Sequence, residues 1–224
     1  MERPAKCAGC IACPGSPSYN PSRTGPFVAP SGPKGSILEP TASDFKGIKL
    51  VVLAMNPSEQ EIEEGEPLVG PSFQQIYRAM GSSWNPSETV KLNYFNCRSW
   101  RPGKTKDFVN RNPTAAEAKD CATRFLVPFL RAMAEAERQG ETILLWVMGN
   151  EAFKVAFQDH YGTFSGSKSS RGQRLNRKNH TFDKLADNIE KWAVKSRKLR
   201  LCIRCNQPLT LPRIRICPTC KAAS

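Results

Sequence analysis

The chain has no apolar run long enough to cross a bilayer. Its apolar stretches, Ile143–Met148 among them, fall far short of the roughly 20 residues that a spanning helix needs. The opening residues, Met-Glu-Arg-Pro-Ala-Lys, lack the apolar core of a secretory signal. No internal repeat is present, which excludes a solenoid. Histidine is scarce: His160 and His180 are the only two, so imidazole chemistry must use one of them. Acidic residues are in deficit, with 20 Asp+Glu against 33 Lys+Arg, a net charge of +13 and a sequence pI near 9.5. These absences exclude a membrane partner and predict a soluble, cytoplasmic, non-secreted protein. The basic excess favours polyanions, nucleic acid first, and predicts a nucleoid-associated monomer.

What is abundant is cysteine. Nine cysteines in 224 residues, in a reducing compartment, read as metal ligands before disulfides. Cys202-x2-Cys205 and Cys217-x2-Cys220, separated by 11 residues, have zinc-ribbon spacing. Four thiolates close a tetrahedral zinc site and leave no open position for chemistry, which makes this site structural. About 25 residues cannot bury a sufficient core, so metal binding must supply much of the folding free energy. The basic flank of this segment, including Arg200, Arg204, Arg213 and Arg215, suits nucleic acid, and a protein partner is the other role for a ribbon. Cys7, Cys10 and Cys13 at x2 spacing, with Cys97 and Cys121 far away in sequence, fit zinc or an iron–sulfur cluster equally by spacing.

Between the cysteine sets lies an alternation of strand and helix patterns. Ile48–Ala54 is a nearly continuous apolar, β-branched-rich run, as expected of a strand buried on both faces. Pro57 ends it and leaves Asn56 at its carboxyl end, the edge where open α/β sheets bind ligands. Glu59 to Glu66 reads as an acidic loop, and Ser72 as the N-cap of a helix carrying Phe73, Ile76, Tyr77 and Met80. Val90–Asn96 and Thr142–Met148 read as two more strands, and 99–112 as a basic loop. A helix from Thr114 is expected to be kinked or interrupted at Pro128. A short helix follows over Asn150–Phe157, then a basic loop over 163–179, then an amphipathic helix carrying Phe182, Leu185, Ile189 and Trp192. Residues 14–47 are too rich in proline for helix and read as an extended wrap. The expected fold is a parallel-sheet α/β domain with helices on both faces. The domains run 1–47 (Cys/Pro-rich segment), 48–197 (α/β domain) and 198–224 (zinc ribbon).

Several motifs resemble the uracil-DNA glycosylase superfamily. Met55-Asn56-Pro57-Ser58 with Gly65-Glu66-Pro67-Leu68-Val69-Gly70 resembles its first motif, in the form used by the iron–sulfur branch. Asn93-Tyr94-Phe95-Asn96-Cys97-Arg98 is similar to the family's Asn-x-x-x-Cys-Arg. Asn110-Arg111-Asn112-Pro113 with Glu117 and Cys121 is similar to a third motif. The resemblance covers roughly residues 7–172 in the family's order. It implies a three-layer sandwich and excision of uracil or a modified pyrimidine from duplex or single-stranded DNA by base flipping. It also implies a 4Fe–4S cluster held by Cys97, Cys121 and one Cys-x2-Cys pair, with one of Cys7, Cys10 and Cys13 spare. Cys10-Cys13 followed by proline fits some members, and Cys7-Cys10 followed by isoleucine fits others.

The resemblance further implies roles for single residues. Asn56, in an Asn-Pro setting like that of the mismatch-specific glycosylases, would hold the attacking water, with Glu61 as an alternative. Asn93 would read the base edge, and Met55 and Leu68 stand at the family's base-contacting positions. Lys168, Arg171 and Arg174 would contact DNA phosphates or enter the groove. The family's His-Pro, which donates to the base oxygen, has its nearest counterpart in His180, here followed by Thr181. Loss of one such donor typically costs 10²–10³ in rate, roughly 3–4 kcal/mol. A catalytically inactive DNA-binding module on the same fold is therefore the alternative.

Overall fold

The computed structural model describes residues 4–8, 10, 24–81, 85–102, 108–110, 113, 115–148, 173–174 and 181–196. The three strands expected from the apolar runs form the centre of the main sheet. They are β4 (Leu50–Ala54), β5 (Thr89–Asn93) and β8 (Leu144–Val147). Both β5 and β8 pair parallel to β4, one on each side. The sheet as a whole is mixed, contrary to the all-parallel expectation. The hairpin of β2 (Ser31–Gly32) and β3 (Gly35–Ser36) adds antiparallel beyond β5, and β9 (Gln173–Arg174) adds antiparallel beyond β8. The Pro-rich wrap thus supplies the short hairpin that ends one side of the sheet, with β3 at its edge, where few ladder bonds are needed.

Alternation along the central strands sorts side chains onto two faces. Val51, Leu53, Val90, Leu92, Leu145 and Val147 form the main core with α3 (Ala115–Arg124), α4 (Leu126–Arg138) and α5 (Phe182–Ser196). Leu50 and Val52 face the other way and cluster with Leu68 and with Phe73 of α2 (Pro71–Met80). Helices therefore cover both faces, as expected. Within α5, Phe182, Leu185, Ala186 and Ile189 are fully buried, matching the amphipathic pattern.

Four local expectations are corrected. Glu59–Glu64 is a helix, α1, rather than a loop. Ser58 and Glu61 form a reciprocal capping box, and the acidic first turn suits the positive end of the helix dipole. Gly65 at φ 70° ends α1 in the left-handed region, where glycine is unstrained. The N-cap of α2 is Gly70 with Pro71 at the first helical position, not Ser72. Part of the 99–112 loop is paired: β6 (Cys97–Pro102) lies between β1 (Thr24–Phe27) and β7 (Phe108–Asn110) in a small antiparallel sheet. Finally, α3 and α4 break at Phe125, three residues before Pro128. Proline clashes with the carbonyl four residues earlier, at Arg124, so the break falls upstream of the ring.

The α4–α5 contact carries an ion network. Arg131 pairs with Asp183, Asp187 and Glu190, and Arg138 pairs with Asp183 and Glu135. Burial pushes the Asp183 carboxyl up, but hydrogen bonds from Arg138 and Arg131 outweigh it and hold the pKa below the ordinary value. A depressed carboxyl contributes stability above its unfolded pKa and loses it as pH falls through the folded one. Asp183→Asn should therefore lower stability at pH 7 by about 0.5–1 kcal/mol, allowing for solvent screening. The two proteins should converge in urea unfolding as pH drops from roughly 4 downward. A difference that persists undiminished at the acid end would contradict this reading.

Candidate active site

The chain leaves β4 towards α1 and α2 on one face of the sheet. It leaves β5 towards α3 and α4 on the other. Where neighbouring parallel strands send their connections to opposite faces, a crevice opens at their carboxyl ends. Asn56 follows β4 by two residues and Asn93 closes β5, so both expected amides lie at this crevice.

The register fixes the direction of Asn93. Ala54 stands opposite Asn93 in the parallel ladder. Beyond the strands the pairing continues, with Tyr94 N–H donating to the Ala54 carbonyl at 2.8 Å and Phe95 N–H to that of Met55 at 2.9 Å. Val90 and Leu92 belong to the main core, so Lys91 and Asn93 share the opposite face. That is the face of Leu50, Val52, Leu68 and Phe73, and the Lys91 ammonium indeed lies 5.8 Å from the Phe73 ring centroid. Asn93 is 1% exposed, and neither its carboxamide nitrogen nor its oxygen has a hydrogen-bond partner among the described residues. An amide buried in this way costs about 1–3 kcal/mol, and such a group calls for a ligand that satisfies it.

The chain around Asn56 is held by Glu61. This carboxylate is 6% exposed. One oxygen accepts from Ser58 N–H at 2.6 Å, and the other accepts from Leu68 N–H in a very short bond. Glu61, in α1, thus ties its own N-cap Ser58 to Leu68, ten residues further along the chain. Leu68 has φ 60°, a left-handed conformation that costs a non-glycine residue on the order of 1–3 kcal/mol. The clamp holds that conformation in place. The pattern Ser-x-x-Glu signals the capping box in sequence; the second bond, to Leu68, has no sequence signal. Glu66 adds a further anchor through an ion pair with Lys91 on β5, and Arg98 pairs with Glu59 of α1 at 3.4 Å.

The structure brings some expected residues together and separates others. Leu68 and Asn93 share one face, whereas half-buried Met55 packs against the core on the other. Met55 therefore contributes its carbonyl to the ladder, and its side chain does not share the face of Asn93. Arg174 lies in β9, opposite Trp146. Cys13, Lys168, Arg171, His180 and the four ribbon cysteines Cys202, Cys205, Cys217 and Cys220 lie outside the described residues, as does the expected helix over Asn150–Phe157.

Beside the crevice lies a second small core. Cys7, Cys10, Cys97 and Cys121 are all buried in it, among Phe27, Ala29, Phe95 and Phe125. Asn96 N–H points at the Cys121 sulfur at 3.3 Å. Among the described residues, no three His, Cys, Asp or Glu side chains are grouped as they would be around one metal ion. Four thiolates around an iron–sulfur cube stand farther apart than four around a single ion. The four thiols share one buried apolar cluster, and thiolates are the soft ligands that an iron–sulfur cluster takes.

Among the described residues no helix is long and apolar enough to cross a membrane. No curated protein matches the chain closely enough to count as a relative. The family model for the uracil DNA glycosylase superfamily, however, matches residues 42–195, from the turn before β4 to the last turns of α5. A match over more than half of the chain, across the very strands that frame the crevice, means that the protein belongs to the uracil-DNA glycosylase superfamily.

Proposed function

We propose that the protein is a monofunctional DNA glycosylase that flips uracil or a modified pyrimidine out of DNA and hydrolyses its bond to the sugar. Membership of the superfamily carries glycosylase-like action on DNA with it. The observation that carries the finer reading is the unpartnered, buried amide of Asn93 at the crevice. An amide both donates and accepts, which matches the alternating donor and acceptor groups on a pyrimidine edge. Leu68 and Phe73 on the same face offer an apolar surface to the flipped ring.

As the glycosidic bond breaks, the sugar becomes cation-like and the departing base gains negative charge. Asn56, half-buried after β4, holds the attacking water through its side-chain carbonyl. The Asn93 NH2 donates to the base oxygen on which charge develops, and such a preplaced donor acts most strongly in a site that excludes water. In this reading Glu61 positions the loop rather than the water, because both of its oxygens are occupied by backbone amides. The net charge of +13 supports binding to the phosphates of DNA.

The cofactor reading rests on the second core. Cys7, Cys10, Cys97 and Cys121 would hold a 4Fe–4S cluster, leaving Cys13 as the spare thiol. Bound there, the cluster would crosslink the amino-terminal segment to β6 and α3. Cys202, Cys205, Cys217 and Cys220 would hold zinc, as their spacing supports.

One observation favours the alternative of an inactive DNA-binding module. Thr181, where the family has proline, is exposed and caps α5 by accepting from Lys184 N–H at 3.2 Å. That role belongs to a helix start rather than to a His-Pro loop.

Asn56→Ala should reduce excision by at least about 10²-fold while leaving DNA affinity unchanged; an equally active variant contradicts the assignment. Asn93→Leu removes a buried amide that has no hydrogen-bond partner among the described residues, so the melting temperature should hold while excision is lost. Retained excision, or a clear drop in melting temperature, would show that Asn93 is a structural residue. Glu61→Gln should cost about 1–3 kcal/mol of stability by leaving a backbone N–H without its charged acceptor, with the shape of the pH–rate profile preserved. Loss of an acid limb at unchanged stability would instead make Glu61 the water-orienting group.

A further inference from the structure

The amino-terminal cysteine segment is held by contacts that involve no metal. Arg124 Nη1 donates to the carbonyls of Lys6 and Ala8, at 2.9 Å each, and its Nε reaches Asp120 at 3.3 Å. Those two carbonyls flank Cys7 at the end of a short 3-10 turn, Ala5–Cys7. Arg124 follows Cys121 by three residues on α3, a spacing that puts both on one side of the helix. One guanidinium therefore joins the backbone around Cys7 to the helix that carries Cys121. On the other side, Lys6 donates to the Leu38 carbonyl, pairs with Glu39 at 3.1 Å and lies 5.0 Å from the Phe125 ring centroid. Phe125 itself lines the cysteine pocket and packs on Phe27 at 5.3 Å. Cys10 N–H then bonds back to the Cys7 carbonyl at 3.0 Å, fixing the second thiol relative to the first.

We propose that Arg124 and Lys6 are positioning residues that dock Cys7 and Cys10 beside Cys97 and Cys121 before any cluster is bound, so that the protein presents a preformed four-thiol site. This builds on the ligand assignment above but does not need the metal to be present. A hydrogen bond to a charged donor is worth more than a neutral one, and Arg124 makes two to carbonyls at the end of a turn, where acceptors are otherwise unmet. The clasp also separates the two halves of the ligand set. Cys97 and Cys121 are fixed by β6 and α3, whereas Cys7 and Cys10 depend on side chains that can be removed singly.

The test uses the full chain, stripped of iron by a chelator without oxygen, and measures iodoacetamide labelling of each cysteine by mass spectrometry. In the unsubstituted protein all four thiols should label slowly. In Arg124→Ala, Cys7 and Cys10 should label about tenfold faster or more, with Cys97 and Cys121 unchanged, and Arg124→Lys should recover part of the protection. Lys6→Ala should act in the same direction. Equal labelling of Cys7 and Cys10 with and without Arg124 overturns the proposal, as does uniform acceleration at all four, which would make Arg124 a general stabiliser. As purified and loaded, Arg124→Ala should also lose iron to the chelator faster. If the unsubstituted protein never binds iron but the selective labelling appears, the clasp stands and the iron–sulfur assignment falls.

Discussion

The register between β4 and β5 is the constraint on which the rest depends. Five consecutive parallel pairs, from Leu50 opposite Thr89 to Ala54 opposite Asn93, set which side chains reach which face. A slip of one residue would turn Asn93 into the main core and bring Leu92 to the crevice. The slip is opposed by the complete burial of Val51, Leu53 and Val90 against α3, α4 and α5, each worth roughly 1.5–3 kcal/mol in burial. It is also opposed by the two backbone bonds that carry the pairing on to Met55 and Phe95. Packing on one face thereby fixes a polar group on the other.

That other face is built with unmet demands. Asn93 is buried without a hydrogen-bond partner among the described residues, and Leu68 is held at a positive φ. Neither arrangement favours stability, and both lie on the same face of the central strands. The surrounding structure compensates with charge: Glu61 satisfies two backbone amides, Glu66 meets Lys91, and Glu59 meets Arg98. Local cost held in place by rigid neighbours is characteristic of sites that act on a ligand. The cysteine pocket extends the same frame, since Cys97 lies four residues beyond Asn93 and begins β6.

The central fold was legible because it is written in period and composition. Apolar runs located β4, β5 and β8, and helical spacing located α5. The edges were not legible, since β2, β3 and β9 are two-residue strands whose pairing comes from their neighbours and not from their own propensity. The acidic stretch after Ser58 reads as a loop because its charge density masks the capping box it contains. The basic stretch after Cys97 reads as one because of its charge, whereas β6 owes its extended form to pairing with β1 and β7. At the site, resemblance pointed to Asn56 and Asn93. It also pointed to Met55, which the alternation of the chain turns away from the Asn93 face. The bond from Leu68 to Glu61 joins α1 to the loop that follows it through a left-handed leucine, and no local pattern announces it.

The most direct test of the central claim is abasic-site formation on duplex and single-stranded oligonucleotides, each carrying one uracil, hydroxymethyluracil or other modified pyrimidine. The protein would be purified without oxygen and the products revealed by alkali. Cleavage at one of these bases, and none at unmodified thymine or cytosine, is the predicted result. Salt-sensitive DNA binding with no abasic product from any substrate would contradict the glycosylase and leave a binding module on the same fold.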